Sequence, residues 1–556
     1  MNQQGMFAEQ TLLIRKINSM KIDLPSVSHA LITRFLGVLL IFNATISISQ
    51  GDHAEKPNII LIMTDDQSWD SLGFMGGNVH TPRLDQMAKD GLYLTDFNVT
   101  STVCSPSRYS FLTGRFAGRC QGKKFLEEHP PGDQTQVENI GELEPDLWNL
   151  PKVLQKNGYK TGFVGKSHVI RHDWLAHGGK DAVIKSAEIQ TYPKTADPRD
   201  PEVNSKMQAN HQKWCDEIKK YGFDWADGVY GANLKELLND SLNVHNLDWT
   251  VSKAFNFLEE SKDEPFFLYF STTLHHGPAP WANKFSLEAD PRMTGEGFVE
   301  DGFDVMPSRE DVLRRNRAAG FQDRAAYALW LDDGVGALLD KVRNLGLDEN
   351  TLIIFVPDHG SYRTAKATLY DYGMRVPMLL KWTGKIKPGS EYNGLVSNID
   401  VAPTILDICG IKPPEDYSMD GISFKPAVFG DKKPLRQVLF GELGHSRSVK
   451  TKNWKYIAVR YPEKVKKQLD AGKTFKGFEG EILERPYLTR NSHLGHGAAK
   501  HNPHYFTTDQ LFDLKTDPEE NENVFSKKPK IAERMKKELS DALSKFDDRP
   551  FGEFVK

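Results

Sequence analysis

Four short apolar runs stand out along the first two-thirds of the chain: Asn58-Ile59-Ile60-Leu61-Ile62-Met63, Lys160-Thr161-Gly162-Phe163-Val164, Pro265-Phe266-Phe267-Leu268-Tyr269-Phe270 and Leu352-Ile353-Ile354-Phe355-Val356. Each is continuous rather than alternating, which predicts strands covered on both faces. Helical patterns lie between them. Pro82 to Asp90 has proline near its start and Gly91 at its end, and Leu150 to Asn157 ends at Gly158 in the same way. Ala328, Leu331, Val335, Leu338, Leu339, Val342 and Leu345 recur at helical spacing before Gly346. Strands alternating with helices predict an α/β fold with a large, mostly parallel sheet sandwiched by helices.

The pattern changes near residue 430. Gln437 to Phe440, Ser448-Val449 and Tyr456 to Val459 are closely spaced strand candidates, and Lys528 to Phe546 has helical periodicity. This predicts a catalytic domain over residues 51–430 and a smaller α+β C-terminal subdomain, with a small antiparallel sheet and a helix, over 431–556. The Gly-, Pro- and charge-rich stretches at about 170–215, 280–320 and 465–505 read as long surface loops. Arg34 and the apolar run Phe35 to Phe42, followed by small and polar residues, read as a signal peptide. That run is shorter than the roughly 20 residues of a spanning helix. Residues 1–50 are therefore expected to be a signal peptide with an upstream segment, Met20 being a plausible true start, and the product is expected to be secreted or periplasmic without a stable membrane span.

Composition narrows the function classes. A formal net charge of -4 over 556 residues gives no basic excess of the kind nucleic-acid binding uses. The four cysteines, Cys104, Cys120, Cys215 and Cys409, contain no C-x-x-C pair, which removes zinc-finger and thioredoxin readings.

The strand ends hold the chemistry. The runs lead into Asp65-Asp66, Lys166-Ser167-His168, His275-His276 and Asp358-His359. In open parallel sheets, ligands bind beyond the carboxyl ends of the strands. A lone Asp-Asp is usually a cap or turn, but four polar ends on four buried strands converge. Asp65, Asp66 and Asp358 are oxygen donors suited to calcium or magnesium. His359 also admits zinc or manganese. Lys166, His168, His276 and Lys366 would surround that cation with groups fitted to an oxyanion, sulfate or phosphate.

Cys104-Ser105-Pro106-Ser107-Arg108 reads, from its residues alone, either as a buried structural cysteine or as a nucleophile at a helix start, with Pro106 suited to a first helical turn and Tyr109 to Leu112 continuing it. With Leu112-Thr113-Gly114-Arg115 it resembles the C-x-P-x-R…T-G-R signature of type I formylglycine sulfatases, within the alkaline phosphatase superfamily. The resemblance extends over Asn58 to Asp66, Gly165 to His168, His276-Gly277-Pro278, Pro357 to Gly360, Lys366, Arg375-Val376-Pro377, Asp400 to Thr404 and Leu511 to Pro518.

The resemblance implies an alkaline phosphatase-like fold and a sulfuric ester hydrolase. A formylglycine-generating maturation enzyme would oxidise Cys104. One Ca2+ would be held by Asp65, Asp66, Asp358 and His359, with position 104 completing the shell. Arg108 would stabilise the hydrated aldehyde, and Lys166 and Lys366 would grip sulfate. His168 would be the base that collapses a covalent sulfo-enzyme intermediate. His276 would sit by the leaving oxygen, in preference to His275. A gem-diol hydroxyl would attack sulfur, and the aldehyde would return as sulfate leaves. The chain departs from the common pattern in Asp358-His359-Gly360, where Asn is frequent, and in Ser167, where an aromatic is frequent. The substrate expected is a sulfated carbohydrate; Arg171, His172, His445 and Arg447 read as loop residues that could contact a sugar, though each is more often a solvated surface residue. The rivals are a phosphatase or phosphonate monoester hydrolase and an inactive glycan-binding scaffold.

Overall fold

The computed structural model describes residues 56–170, 189–280, 285–360, 365–490 and 492–546. Residues 1–50, expected from sequence to hold a signal peptide, and Arg171 and His172 lie outside these. The central sheet contains β1 (Asn58–Thr64), β2 (Leu92–Leu94), β3 (Lys160–Lys166), β4 (Trp225–Tyr230), β5 (Phe266–Ser271), β6 (Thr351–Pro357), β7 (Met378–Lys381) and β8 (Ser390–Tyr392), in the order β8-β2-β7-β6-β1-β5-β3-β4. The five strands from β6 to β4 are mutually parallel, and β7 runs antiparallel to both β6 and β2.

Burial explains the continuous runs. Ile59, Leu61 and Met63 of β1 enter one apolar cluster, with Tyr109, Phe111 and Leu112 of α2 (Cys104–Thr113) and with α3 (Leu150–Lys156). Ile60 and Ile62 enter the opposite cluster, with α5 (Leu247–Ser261) and α7 (Ala326–Asn344). Two cores leave no polar face, so no alternation appears. α1 (Pro82–Asp90) covers the second face and α4 (Pro201–Lys219) the first. Asn149, Asp200 and Asn246 each accept a backbone N–H at the start of α3, α4 and α5.

Register brings the strand ends level. Thr64 lies opposite Pro357, Met63 opposite Ser271, and Gly165 opposite Ser271. Asp65, Lys166 and Asp358 therefore leave the sheet at one height. Gly165 has φ +98°, and a Cβ there would stand 1.9 Å from the Ser271 carbonyl oxygen. Both the conformation and the close approach require glycine. Gly165→Ala should cost at least about 2 kcal/mol, read as a lowered urea midpoint, because no side-chain rotation can move a backbone oxygen aside.

A second sheet, β9 (Leu439–Leu443), β10 (Ser446–Lys450), β11 (Trp454–Val459) and β12 (Asp509–Asp513), is antiparallel throughout, and α10 (Pro529–Leu543) packs on it. Lys450 Nζ donates to Asp96 Oδ1 at 2.9 Å and Asp371 Oδ2 at 2.7 Å, and Lys455 Nζ to Asp371 Oδ1 at 2.7 Å. These buried bridges tie the second sheet to the segment just beyond Lys366.

The long-loop expectation is corrected in part. α4, α6 (Arg309–Ala318), α8 (Glu463–Asp470) and α9 (Ser492–His501) occupy those stretches. Their charged faces hid modest apolar faces, such as Met207, Trp214 and Ile218 on α4. His445 and Arg447 are also corrected: both are buried, and Arg447 spends its N–H groups on the carbonyls of Thr135, Gly444 and Ser446 rather than facing a cleft.

Candidate active site

Cys104 is the first residue of α2, and every residue of that helix is buried. So polar a helix can be buried because its hydroxyls find partners. Ser105 Oγ donates to the Gly141 carbonyl at 2.6 Å, Ser107 Oγ to the Asp358 carbonyl, and Thr113 Oγ1 to the Tyr109 carbonyl at 2.7 Å. Asn398, outside every sequence expectation, receives the Thr100 N–H at 3.0 Å and donates to the Ser107 carbonyl at 3.2 Å.

The Cys104 sulfur is the hub of the strand ends. It lies 3.4 Å from His359 Nε2, 3.6 Å from Asp65 Oδ1, 3.7 Å from Lys166 Nζ and 3.9 Å from Lys366 Nζ. Burial and the Asp65 charge push its thiol far up, so the thiolate is suppressed. One turn on, Arg108 is wholly buried. Its Nε donates to Asp358 Oδ2 and its Nη2 to Asp65 Oδ2, both at 3.0 Å, and Nη1 donates to the Lys166 carbonyl at 3.1 Å and to Ser271 Oγ. Lys166 Nζ donates to Asp65 Oδ2, and Lys366 Nζ to Asp66 Oδ1 at 2.6 Å. Although burial raises the Asp65 carboxyl, the charges of Lys166, Arg108 and Lys366 hold it well below the usual range.

Of the expected metal residues, Asp65, Asp358 and His359 gather with Cys104, their donor atoms all within 4.8 Å of one another. Asp66 gathers with Asp65, Cys104 and His276 within the same limit. His359 links the groups, its Nε2 lying 3.3 Å from Asp66 Oδ1 and 3.7 Å from Asp358 Oδ1. Its Nδ1 is 3.0 Å from the Gly360 carbonyl, which can only accept. In the tautomer that carries its proton on Nδ1, the Nε2 lone pair faces two carboxylates, an arrangement that a cation resolves. The donors therefore fit a metal ion. With sulfur at position 104 the set mixes soft and hard donors; with oxygen there it is carboxylate oxygens and one imidazole, which suit calcium or magnesium and also admit zinc or manganese.

His276 is half-buried, and burial together with Lys166 and Lys366 keeps its imidazole neutral, well below its ordinary range. His168 stands two residues past Lys166, with its N–H donating to the Gly231 carbonyl at 2.8 Å. Three of the five non-glycine residues with positive φ among the described residues are Asp66, His168 and Ala367, the last beside Lys366. Backbone strain thus collects where the strand ends turn into the site.

His245 is a second residue missed by sequence reading, because nothing local in Val244-His245-Asn246 marks it. Its Nδ1 accepts from Thr273 Oγ1 at 2.8 Å, and its Nε2 donates to the carbonyls of His276 at 2.9 Å and Pro278 at 3.1 Å. Burial pulls its imidazole down to about 3. It is a neutral clamp on the loop carrying His276. His245→Ala should lower kcat about 10- to 100-fold with little change in KM, and His245→Gln, which keeps a donor, should recover part of it in the same steady-state assay.

The Sulfatase family model matches residues 57–411. The chain belongs to the sulfatase family. A model described as N-sulphoglucosamine sulphohydrolase, C-terminal, also matches the sulfatase over residues 358–467. The N-acetylgalactosamine-6-sulfatase of Mus musculus is 26% identical over 424 residues, 72% of each chain. The N-acetylgalactosamine-6-O-sulfatase of Bacteroides thetaiotaomicron is 23% identical, covering 91% of the sulfatase and 96% of its own length. The phosphonate monoester hydrolase of Agrobacterium radiobacter shares the fold, with a TM-score of 0.52 at 19% identity over 88% of the sulfatase and 95% of that chain. The sulfatase is an enzyme that hydrolyses sulfuric esters. Among its described residues, no helix is long and apolar enough to cross a membrane.

Proposed function

We propose that the sulfatase removes sulfate from a sulfated carbohydrate outside the cytoplasm, using a formylglycine made from Cys104 by a maturation enzyme, and one Ca2+. The observation that carries this is the Cys104 sulfur, suppressed as a thiolate yet ringed by Lys166, Lys366, Asp65 and His359 within 3.9 Å. A thiol there is a poor nucleophile in a site otherwise built around a reacting oxyanion. Hydrated formylglycine supplies a hydroxyl nucleophile and a route for releasing sulfate, and Ca2+ supplies Lewis-acid polarisation.

The chain's own residues do the remainder. Asp65, Asp66, Asp358 and His359 hold the cation. Arg108 fixes Asp65 and Asp358 so that both face it. Lys166 and Lys366 bind sulfate oxygens. Three carboxylates (Asp65, Asp66, Asp358) balance three cations (Arg108, Lys166, Lys366), so a divalent ion leaves the positive excess an anionic ester requires. His168 takes a proton at position 104, and His276 gives one to the leaving oxygen. Burial first, and then Lys166 and Lys366, disfavour the proton on His276; a bound anion offsets the lysine charges and so favours that proton.

The two relatives named for N-acetylgalactosamine-6-sulfate esters support a sugar substrate, and the apolar run at Phe35 to Phe42 supports export, to the periplasm or beyond the cell. Residues 51–430 serve as catalytic domain and 431–556 as the subdomain that buttresses it. The test is paired kcat/KM values on matched sulfate, phosphate and phosphonate esters, with sulfated saccharides alongside. Preference for sulfate esters, saccharides included, is expected; faster phosphonate turnover would overturn the reading.

A further inference from the structure

Elements far from the strand ends also reach the mouth of the site. Asn233 Oδ1 lies 3.4 Å from Lys166 Nζ and opens the 3₁₀ turn Leu234–Leu237, which presents exposed Lys235. From the other side, Leu494 of α9 is buried in an apolar cluster with Val103, Ala365 and Ala367, the chain neighbours of Cys104 and Lys366. That anchor holds His493, the residue before Leu494, beside this cluster, where burial and then the charges of Lys235 and Lys366 lower its imidazole.

A hairpin joining Phe475–Lys476 to Ile482–Leu483 carries Phe478 at its tip. Phe478 is 53% exposed, with its ring 5.9 Å from that of His493 and 5.6 Å from that of His496. His496 Nδ1 in turn meets Glu481 Oε1 at 2.9 Å, which pins the hairpin to α9. An isolated surface phenylalanine calls for no explanation. This one is held against an imidazole beside a cationic, oxyanion-binding centre. An aromatic face attracts the C–H groups of a sugar ring, and an exposed ammonium attracts an acidic substituent on it.

We propose that Phe478, His493 and Lys235 form a subsite for the sugar adjoining the sulfated one, and that this neighbour is acidic, bearing a carboxylate or a further sulfate. Phe478 and His493 stack against the ring, and Lys235 pairs with the acidic group. The substrate class is therefore an anionic saccharide rather than a small aryl ester. This rests on the sulfatase reading above.

The test uses the full chain, matured at position 104. It is assayed on a panel of sulfated disaccharides whose neighbouring sugar is a uronic acid or a neutral hexose, with 4-nitrocatechol sulfate as a separate report on sulfate-ester hydrolysis. The wild type should favour the uronic-acid members. Phe478→Ala should raise KM about 10-fold for both kinds of disaccharide with kcat retained. Lys235→Ala should erase the preference for the acidic neighbour. The proposal is overturned if KM does not move, if both variants lower kcat on every ester alike, or if the aryl ester is cleaved and no uronic-acid disaccharide is. Failure to cleave any sulfate ester removes the underlying reading, and the proposal with it.

Discussion

Cys104→Ala should abolish turnover, by at least about 10⁴-fold in kcat, while leaving a folded protein. The side chain is buried at the start of a fully buried helix, so truncation leaves a small cavity costing about 1 kcal/mol. The hydrogen bonds that fix α2 come from Ser105, Ser107, Arg108 and Asn398 and survive the change. Loss of activity with a nearly unchanged urea midpoint separates a nucleophile from a packing residue. Activity within 10-fold of wild type would instead mean that the strand-end cluster acts without position 104.

Arg108→Ala should fail in both respects. The guanidinium is wholly buried between Asp65 and Asp358, and it is their shared hydrogen-bonding partner. Its removal leaves two buried carboxylates facing each other and takes a donor from the Lys166 carbonyl and Ser271 Oγ. Breaking a buried pair in this way costs about 3–5 kcal/mol, and activity should fall at least about 10³-fold. Arg108→Lys keeps the charge but has no planar fork to hold both carboxylates, so it should recover stability more than turnover. Urea unfolding and sulfate release on the three proteins measure the two effects. A stable, active Arg108→Ala protein would contradict the proposed role of this residue in aligning the carboxylates.

The parts of the fold legible in sequence are those set by short-range pattern. The runs at Asn58, Lys160, Pro265 and Leu352 became β1, β3, β5 and β6, because strands between two cores must be apolar without interruption. Their polar ends mark one edge of the sheet, so convergence could be inferred before any distance was known. β4 was missed because Asp227 and Gly228 break its apolar pattern, and β2 and β8 because three-residue strands carry too little pattern. Asn233, His245 and Asn398 act on partners 67, 31 and 291 residues away, a pairing that only the packed chain creates. His445 and Arg447 misled for the opposite reason: polar residues normally signal exposure, yet backbone carbonyls satisfy Arg447 inside the second sheet.

The most direct test of the central claim is the mass of the peptide containing Cys104, from protein co-produced with a formylglycine-generating enzyme. The aldehyde or its hydrate at position 104 is the predicted result. An unmodified thiol, from cells that convert a control sulfatase, would contradict it and leave the ring of Lys166, Lys366, Asp65 and His359 without the nucleophile proposed at its centre.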